Sequence, residues 1–233
     1  MEDIHNLFPH IKEVATRPSI HPDEGPVRAY IMSHFQQLEK IYKVDEVGNV
    51  YLHAQGNPRF LLAAHMDKQA PPNYGDLGGA IQGKLDDAVG VGILLTLAET
   101  HDFEAIFTVA EERSSRGAFY AVEKKLLPDV EGIIVIDTSP KMKMGEGPIF
   151  YTSFGNIHPD PSYVELFMKT AEKLNIHIQP RPGAINDGVV FIHYNRNTIA
   201  LEPHIENYHT SHEISSKQDI IDTYLLLHEI LKL

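Results

Sequence analysis

A chain of 233 residues, 42% hydrophobic and 22% charged, has enough apolar side chain for one sizeable core and no compositional mark of a disordered half. Its formal net charge of -12, from 20 basic and 32 acidic residues, argues against nucleic acid and anionic membranes as partners and favours soluble small molecules or peptides. Cysteine is absent, which excludes a disulfide framework and a thiolate metal site, so any metal has to rest on imidazole and carboxylate.

The opening MEDIHNLFPHIKEVA lacks a basic region followed by an apolar run, and no stretch approaches the roughly 20 apolar residues of a membrane span. A cytoplasmic location is the default expectation. Residues 3–16 and 24–44 carry apolar residues at helical spacing, and RPSIHPDEGP between them breaks any continuous helix. VDEVGNVYLHAQG alternates around a Gly-Asn turn and reads as a hairpin, whereas RFLLAAHMD is a near-continuous apolar run that reads as a buried strand. Comparable runs recur in EAIFTVAEE, EGIIVIDTS and, less cleanly, NTIALEP, with helical segments at 86–101, 117–126, 161–174 and 217–232. This alternation predicts a three-layer α/β/α sandwich with a mainly parallel central sheet covered on both faces. No repeat, low-complexity tract or linker divides the chain, and residues 1–233 read as a single domain.

Polar residues fall where such a fold places a site, since open α/β sheets bind ligands in the crevice outside the carboxyl ends of their strands. His65 and Asp67 end RFLLAAHMD, Glu111 and Glu112 end EAIFTVAEE, and Asp137 ends GIIVIDTS. Asp86 sits where a loop enters the glycine-rich helix DDAVGVGILLTLA, and His209 lies in NYHTSHE. Hydrolysis of an unactivated amide needs a nucleophile stronger than water, and a bound divalent ion supplies one by lowering the pKa of its water to about 7. Two ions roughly 3.5–4 Å apart share that water and stabilise the oxyanion. Asp86, between the other ligands in chain order, suits the bridging role, with each ion completed by one imidazole and one further carboxylate. Asp67, two residues beyond His65 and on the same side of a strand, is placed to orient the imidazole. Glu111, beside Glu112, is placed to take the proton of the attacking water and deliver it to the leaving amine. Asp87 is the candidate for a purely structural role in the first turn of the following helix. Asn186 and Asp187, before Gly188, form a turn or line a substrate pocket.

The order AAHMD, LDDAVG, AEERSSRGA, VIDTS, YHTSHE resembles the co-catalytic di-zinc exopeptidases, most closely the glutamyl aminopeptidase or endoglucanase-like metal aminopeptidases, over nearly the whole chain. The resemblance implies that His65, Asp86 and Asp137 hold one ion and Asp86, Glu112 and His209 the other, with Glu111 as base and Asp67 orienting His65. It implies two divalent ions, zinc in the first place, with cobalt and manganese accepting the same ligands. Short peptides are the implied substrates, cut at the amino terminus by a metal-bound hydroxide. Two departures stand out. Close relatives carry an accessory domain between the first histidine motif and the bridging aspartate, and here only 18 residues, Lys68 to Leu85, span that interval. That leaves a single catalytic domain without an inserted dimerisation or lid domain, and a monomer or small homo-oligomer. Second, the family's His-Ser-Pro at the last ligand reads His209, Thr210, Ser211, so that His204 and His212 compete with His209. A carboxypeptidase, dipeptidase or N-acyl amino acid deacylase on the same site is the alternative, and a non-catalytic peptide-binding protein on a peptidase fold is another. The loops Lys68–Leu85 and Ser139–His158 are expected to line the pocket.

Overall fold

The computed structural model describes residues 4–141 and 143–233. In chain order the elements are α1 (Leu7–Ala15), α2 (Gly25–Gln37), β1 (Ile41–Val44), β2 (Val50–His53), β3 (Phe60–His65), β4 (Tyr74–Asp76), β5 (Ala80–Gly83), α3 (Ala88–Ala98), β6 (Glu104–Thr108), α4 (Arg116–Glu123), β7 (Gly132–Ile136), β8 (Ile149–Tyr151), α5 (Pro161–Leu174), β9 (Gln179–Arg181), α6 (Gly188–Tyr194), β10 (Thr198–Glu202), β11 (Glu213–Ser216) and α7 (Lys217–Ile230).

Eight strands form the main sheet in the order β1-β2-β6-β3-β7-β10-β8-β9. Its centre, β6-β3-β7-β10, is parallel, and antiparallel pairings join β2 to β6, β1 to β2 and β8 to β10. The four central runs are buried along their whole length, as expected for strands covered on both faces. Alternate residues serve opposite faces: Leu62, Ala64, Ile134, Ile136 and Leu201 pack on the side of α1, α2, α3, α5 and α7. Leu61, Ala63, Ile133, Val135 and Ala200 pack on the side of α4 and α6. The three-layer reading therefore holds.

Helix α3 is buried throughout, and its glycines explain how. A Cβ on Gly92 would lie 2.5 Å from Ile11, so the missing side chain lets α1 cross α3 at close range. A Cβ on Gly90 would lie 2.3 Å from the Asp87 carboxylate, which caps this helix.

The helix expected over 24–44 ends at Gln37. Glu39 adopts a left-handed conformation (φ 54°) and the Lys40 amide bonds back to the Phe35 carbonyl, a Schellman-type closure that turns the chain into β1. Three short strands that have no clear period in the sequence, β4, β5 and β11, form a second antiparallel sheet, β11-β5-β4. It brings residues 80–83, just before Asp86, against residues 213–216, just after His209. Among the described residues no helix is long and apolar enough to cross a membrane.

Candidate metal centre

All seven site residues read from the sequence arrive at the carboxyl ends of the central strands. His65 is the last residue of β3 and Asp137 follows β7 directly. Glu111 and Glu112 occupy a one-turn 3-10 helix after β6, entered through Ala110 in a left-handed conformation (φ 52°). Asp86 precedes α3 across a cis peptide to Asp87. The side chain of Asp87 accepts the Gly90 amide at 2.6 Å and the His65 amide at 3.3 Å, the structural role expected of it. His209, itself at φ 62°, stacks on Tyr208 with ring centroids 3.6 Å apart.

Two triads result, each with one potential ligand atom per residue and all such atoms within 4.8 Å of one another: His65, Asp86, Asp137 and Asp86, Glu112, His209. Asp86 belongs to both. Its Oδ1 lies 3.1 Å from His65 Nε2, and its Oδ2 lies 3.4 Å from His209 Nε2. His65 Nε2 is 3.6 Å from Asp137 Oδ1, and His209 Nε2 is 3.4 Å from Glu112 Oε2. The first triad is sealed, with His65 3% exposed, and the second opens outward, with His209 33% exposed.

Of the rival histidines, His204 is buried, its main chain bridges Ser139 and its carbonyl accepts the Ser215 hydroxyl. His212 is exposed and its Nδ1 meets the Ser211 hydroxyl. Neither joins a triad.

Several supporting groups are not assigned in the sequence reading. Glu213 is the chief of these. One of its oxygens accepts the amides of Leu85 (2.6 Å) and Asp86 (3.1 Å), and the other accepts the His209 amide (2.9 Å) and the Lys84 ammonium (2.6 Å). It stood four residues beyond His209 in the very motif that located the histidine. Asp67 is more than an orienter of imidazole. His65 Nδ1 meets its main-chain oxygen at 3.1 Å and its carboxylate at 3.4 Å, while that carboxylate accepts the amides of Glu111 (2.9 Å) and Glu112 (3.2 Å). Asn186 donates to Glu202, and Asp187 accepts the Thr108 hydroxyl at 2.5 Å, so both are tied into the floor of the site.

The electrostatics are those of a place short of positive charge. Burial works against ionisation of Asp86, but the imidazoles of His209 and His65, with Lys84, hold its carboxyl well below the ordinary range. The surrounding carboxyls move the other way. Burial, reinforced by neighbouring carboxylates, pushes Glu111 up to about 10, Glu112 to about 7 and Asp187 to about 6, and raises Asp137 and Glu202. Lys68 Nζ, buried without a partner, is pushed down to about 7 by burial and by Lys84. Asp86 Oδ2, Glu112 Oε1 and His209 Nε2 are likewise buried without a hydrogen-bond partner. Such atoms are costly unless something satisfies them, and a divalent cation among oxygens and imidazole nitrogens does so.

An open cleft of about 370 Å³ adjoins the second triad. Its walls come from residues 111–119, 185–190 and 208–209 rather than from the loops 68–85 and 139–158 expected to form them. From the first of those loops Gln69 reaches Glu112 at 2.6 Å. A smaller cavity, about 200 Å³, lies between residues 57–60 and 230–233, at the amino end of β3 and so away from these residues.

A parallel-centred α/β sandwich that gathers imidazoles and carboxylates at its strand ends offers a crevice able to hold divalent ions. Residues 77–226 match the model of the M42 glutamyl aminopeptidase family, and the chain belongs to that family. It is therefore a metal-dependent aminopeptidase by family, a hydrolytic enzyme. No curated protein matches the sequence. Among solved structures, the chain is similar to a TET aminopeptidase from a marine-sediment Thaumarchaeota archaeon, with 17% identity, a TM-score of 0.84, and 97% of this chain and 96% of that one covered. It is also similar to the TET1 peptidase of Pyrococcus horikoshii, with 18% identity, a TM-score of 0.81 and coverage of 97% and 99%. The aminopeptidase PepT of Bacillus cereus gives 14% identity, a TM-score of 0.82 and coverage of 97% for both chains. At these identities the likeness establishes the fold.

Proposed function

We propose that this protein removes amino-terminal residues from short peptides with two divalent ions, His65, Asp86 and Asp137 holding one and Asp86, Glu112 and His209 the other. The observation that carries the reading is Asp86, one of whose oxygens faces His65 and the other His209. Imidazole and carboxylate donors without thiolate suit zinc, and accept cobalt or manganese. When bound, the ions polarise the scissile carbonyl and acidify the attacking water.

The chain's own groups do the rest. Glu111 lines the cleft beside Glu112, where its carboxylate is placed to take the proton of the attacking water and pass it to the leaving amine. Asp67 positions both partners of that step, because one carboxylate contacts His65 and fixes the main chain of Glu111 and Glu112. Glu213 does the same for Asp86 and His209. Among the described residues no lysine or arginine lines the cleft to hold a substrate's free carboxylate, which argues against the carboxypeptidase and deacylase readings.

The interval from Lys68 to Leu85 holds the β4–β5 hairpin, paired to β11, and no separate domain. This supports one catalytic domain and a monomer or small oligomer, unlike the Pyrococcus horikoshii TET1 peptidase, which assembles into a tetrahedron or a large octahedral shell. The test is hydrolysis of a free-amino tripeptide and its N-acetylated twin by metal-stripped protein, before and after adding zinc, cobalt or manganese. Metal-restored cleavage of the free peptide alone is expected; cleavage of the acetylated one would transfer the assignment to a deacylase or endopeptidase.

A further inference from the structure

We infer that the cleft beside the metal centre selects a bulky, uncharged amino-terminal side chain and rejects an acidic one, a specificity opposite to the glutamyl name of the family. The inference rests on the aminopeptidase reading above and adds the substrate class to it.

The walls of the cleft are apolar and uncovered. Ile185 is 87% exposed and Phe119 59% exposed, and Val189 and Tyr208 are exposed beside them. Single exposed apolar residues are ordinary, but four around one concavity mark a surface waiting for an apolar occupant. The floor is Glu111, Glu112 and His209. These groups flank the reacting carbonyl, so the side chain that fills the cleft belongs to the residue whose carbonyl reacts, which for an aminopeptidase is the first. At about 370 Å³ the space suits one large side chain rather than an extended peptide.

Charge decides the rest. Arg113 and Arg116 are the nearest cations in sequence, but neither lines the cleft, and Arg116 instead lines a neighbouring hollow with Tyr120. A glutamate or aspartate side chain would set a carboxylate beside Glu111 and Glu112, with no lysine or arginine on the wall to pair it. A lysine side chain gains little there, because Glu112 is committed to an ion and Glu111 to the attacking water. The wall also carries Ser114, Ser115 and Asn186, uncharged groups that offer a carboxylate no cation, and the Asn186 amide is already donated to Glu202.

The experiment is a kcat/KM series on metal-loaded protein with aminoacyl-nitroanilides of Leu, Met, Phe, Ala, Glu and Lys, and with dipeptides that keep Leu first and vary the second residue. Each hydrophobic pocket contact of methylene size is worth about 10–200-fold, so Leu, Met and Phe should exceed Ala by at least about tenfold and Glu by more. The second residue should alter rates less than the first. Val189→Arg and Ile185→Arg, at exposed positions on the cleft wall, should each raise the Glu-to-Leu ratio at least about tenfold by supplying the missing cation. A flat series, a best substrate with Glu or Lys, selectivity that follows the second residue, or an unchanged ratio in both arginine variants would overturn this specificity while leaving the aminopeptidase standing. No hydrolysis of any member would overturn both.

Discussion

Among the described residues, two places gather imidazoles and carboxylates within 4.8 Å, the candidate metal centre and a group formed by His10 of α1, His34 of α2 and Glu99 at the end of α3. In the helical group the polar atoms answer one another. His10 Nδ1 meets the Tyr30 hydroxyl at 2.7 Å, its Nε2 meets Glu99 at 2.9 Å, and His34 Nε2 faces the Leu95 carbonyl at 3.2 Å. Asn6 donates to both oxygens of Glu99. At the strand ends, Asp86 Oδ2, Glu112 Oε1 and His209 Nε2 are buried without hydrogen-bond partners. Ligand types in proximity are thus common to both; unmet hydrogen-bonding capacity belongs to one. The first group clasps three helices, and the second holds room for a cation.

The comparison breaks most sharply at Asp86. Asp86→Ala removes a ligand from both triads, and several kcal/mol of metal assistance go with it, so kcat/KM should fall at least about 10³-fold and bound metal should drop in elemental analysis. His34→Asn should leave the metal content at the wild-type value; loss of an ion there would make the helical group a metal site after all. Glu111→Gln comes next, with kcat lower by about 10²–10⁴-fold at unchanged metal content, the signature of a proton carrier rather than a ligand. Glu213→Gln is expected to weaken metal affinity by about 10–100-fold in a competition titration with a chelator, since it holds the segments that present Asp86 and His209 without touching the ions.

The smallest effect concerns pH. Burial, with the charge of His10 and against the Leu95 carbonyl and Glu99, lowers the pKa of His34 below 6.5 in the folded protein. The unfolded chain then binds this proton more readily, so the contribution of His34 to stability is present above pH 6.5 and is lost as the pH falls below it. Thermal melting of metal-free protein should decline less between pH 7 and pH 5.5 in His34→Asn than in the wild type. An equal decline would mean that the clasp does not titrate as a unit separate from the centre.

The central strands were legible as near-continuous apolar runs, and three of them lead into the polar residues read from the sequence as site candidates: His65, Glu111 and Glu112, and Asp137. Asp87 was legible as a cap by its place before α3. His209 was not separable from His204 and His212 by spacing, since the choice depends on a loop that puts one ring over Tyr208. Glu213 was beyond reach for a different reason. Its role arises from β11 pairing with β5, two four-residue strands without a hydrophobic period, far apart in the chain. The cis peptide between Asp86 and Asp87 likewise has no mark in sequence, since such bonds outside proline are too rare to be read from residue type. The overlong helix at 24–44 failed because Ile41 and Val44 fit either period, and the left-handed turn at Glu39 decided between them.

Glu213 also sets a timetable. It lies 127 residues beyond the Asp86 amide it accepts, and the same carboxylate holds His209. On a growing polypeptide the first triad has all its side chains once residue 137 is made, yet the last member of the second triad and the clamp on Asp86 wait for residues 209–213. A hydrolase assembled in this order stays silent through most of its own synthesis, and any break between residues 86 and 213 that frees β11 would silence it again.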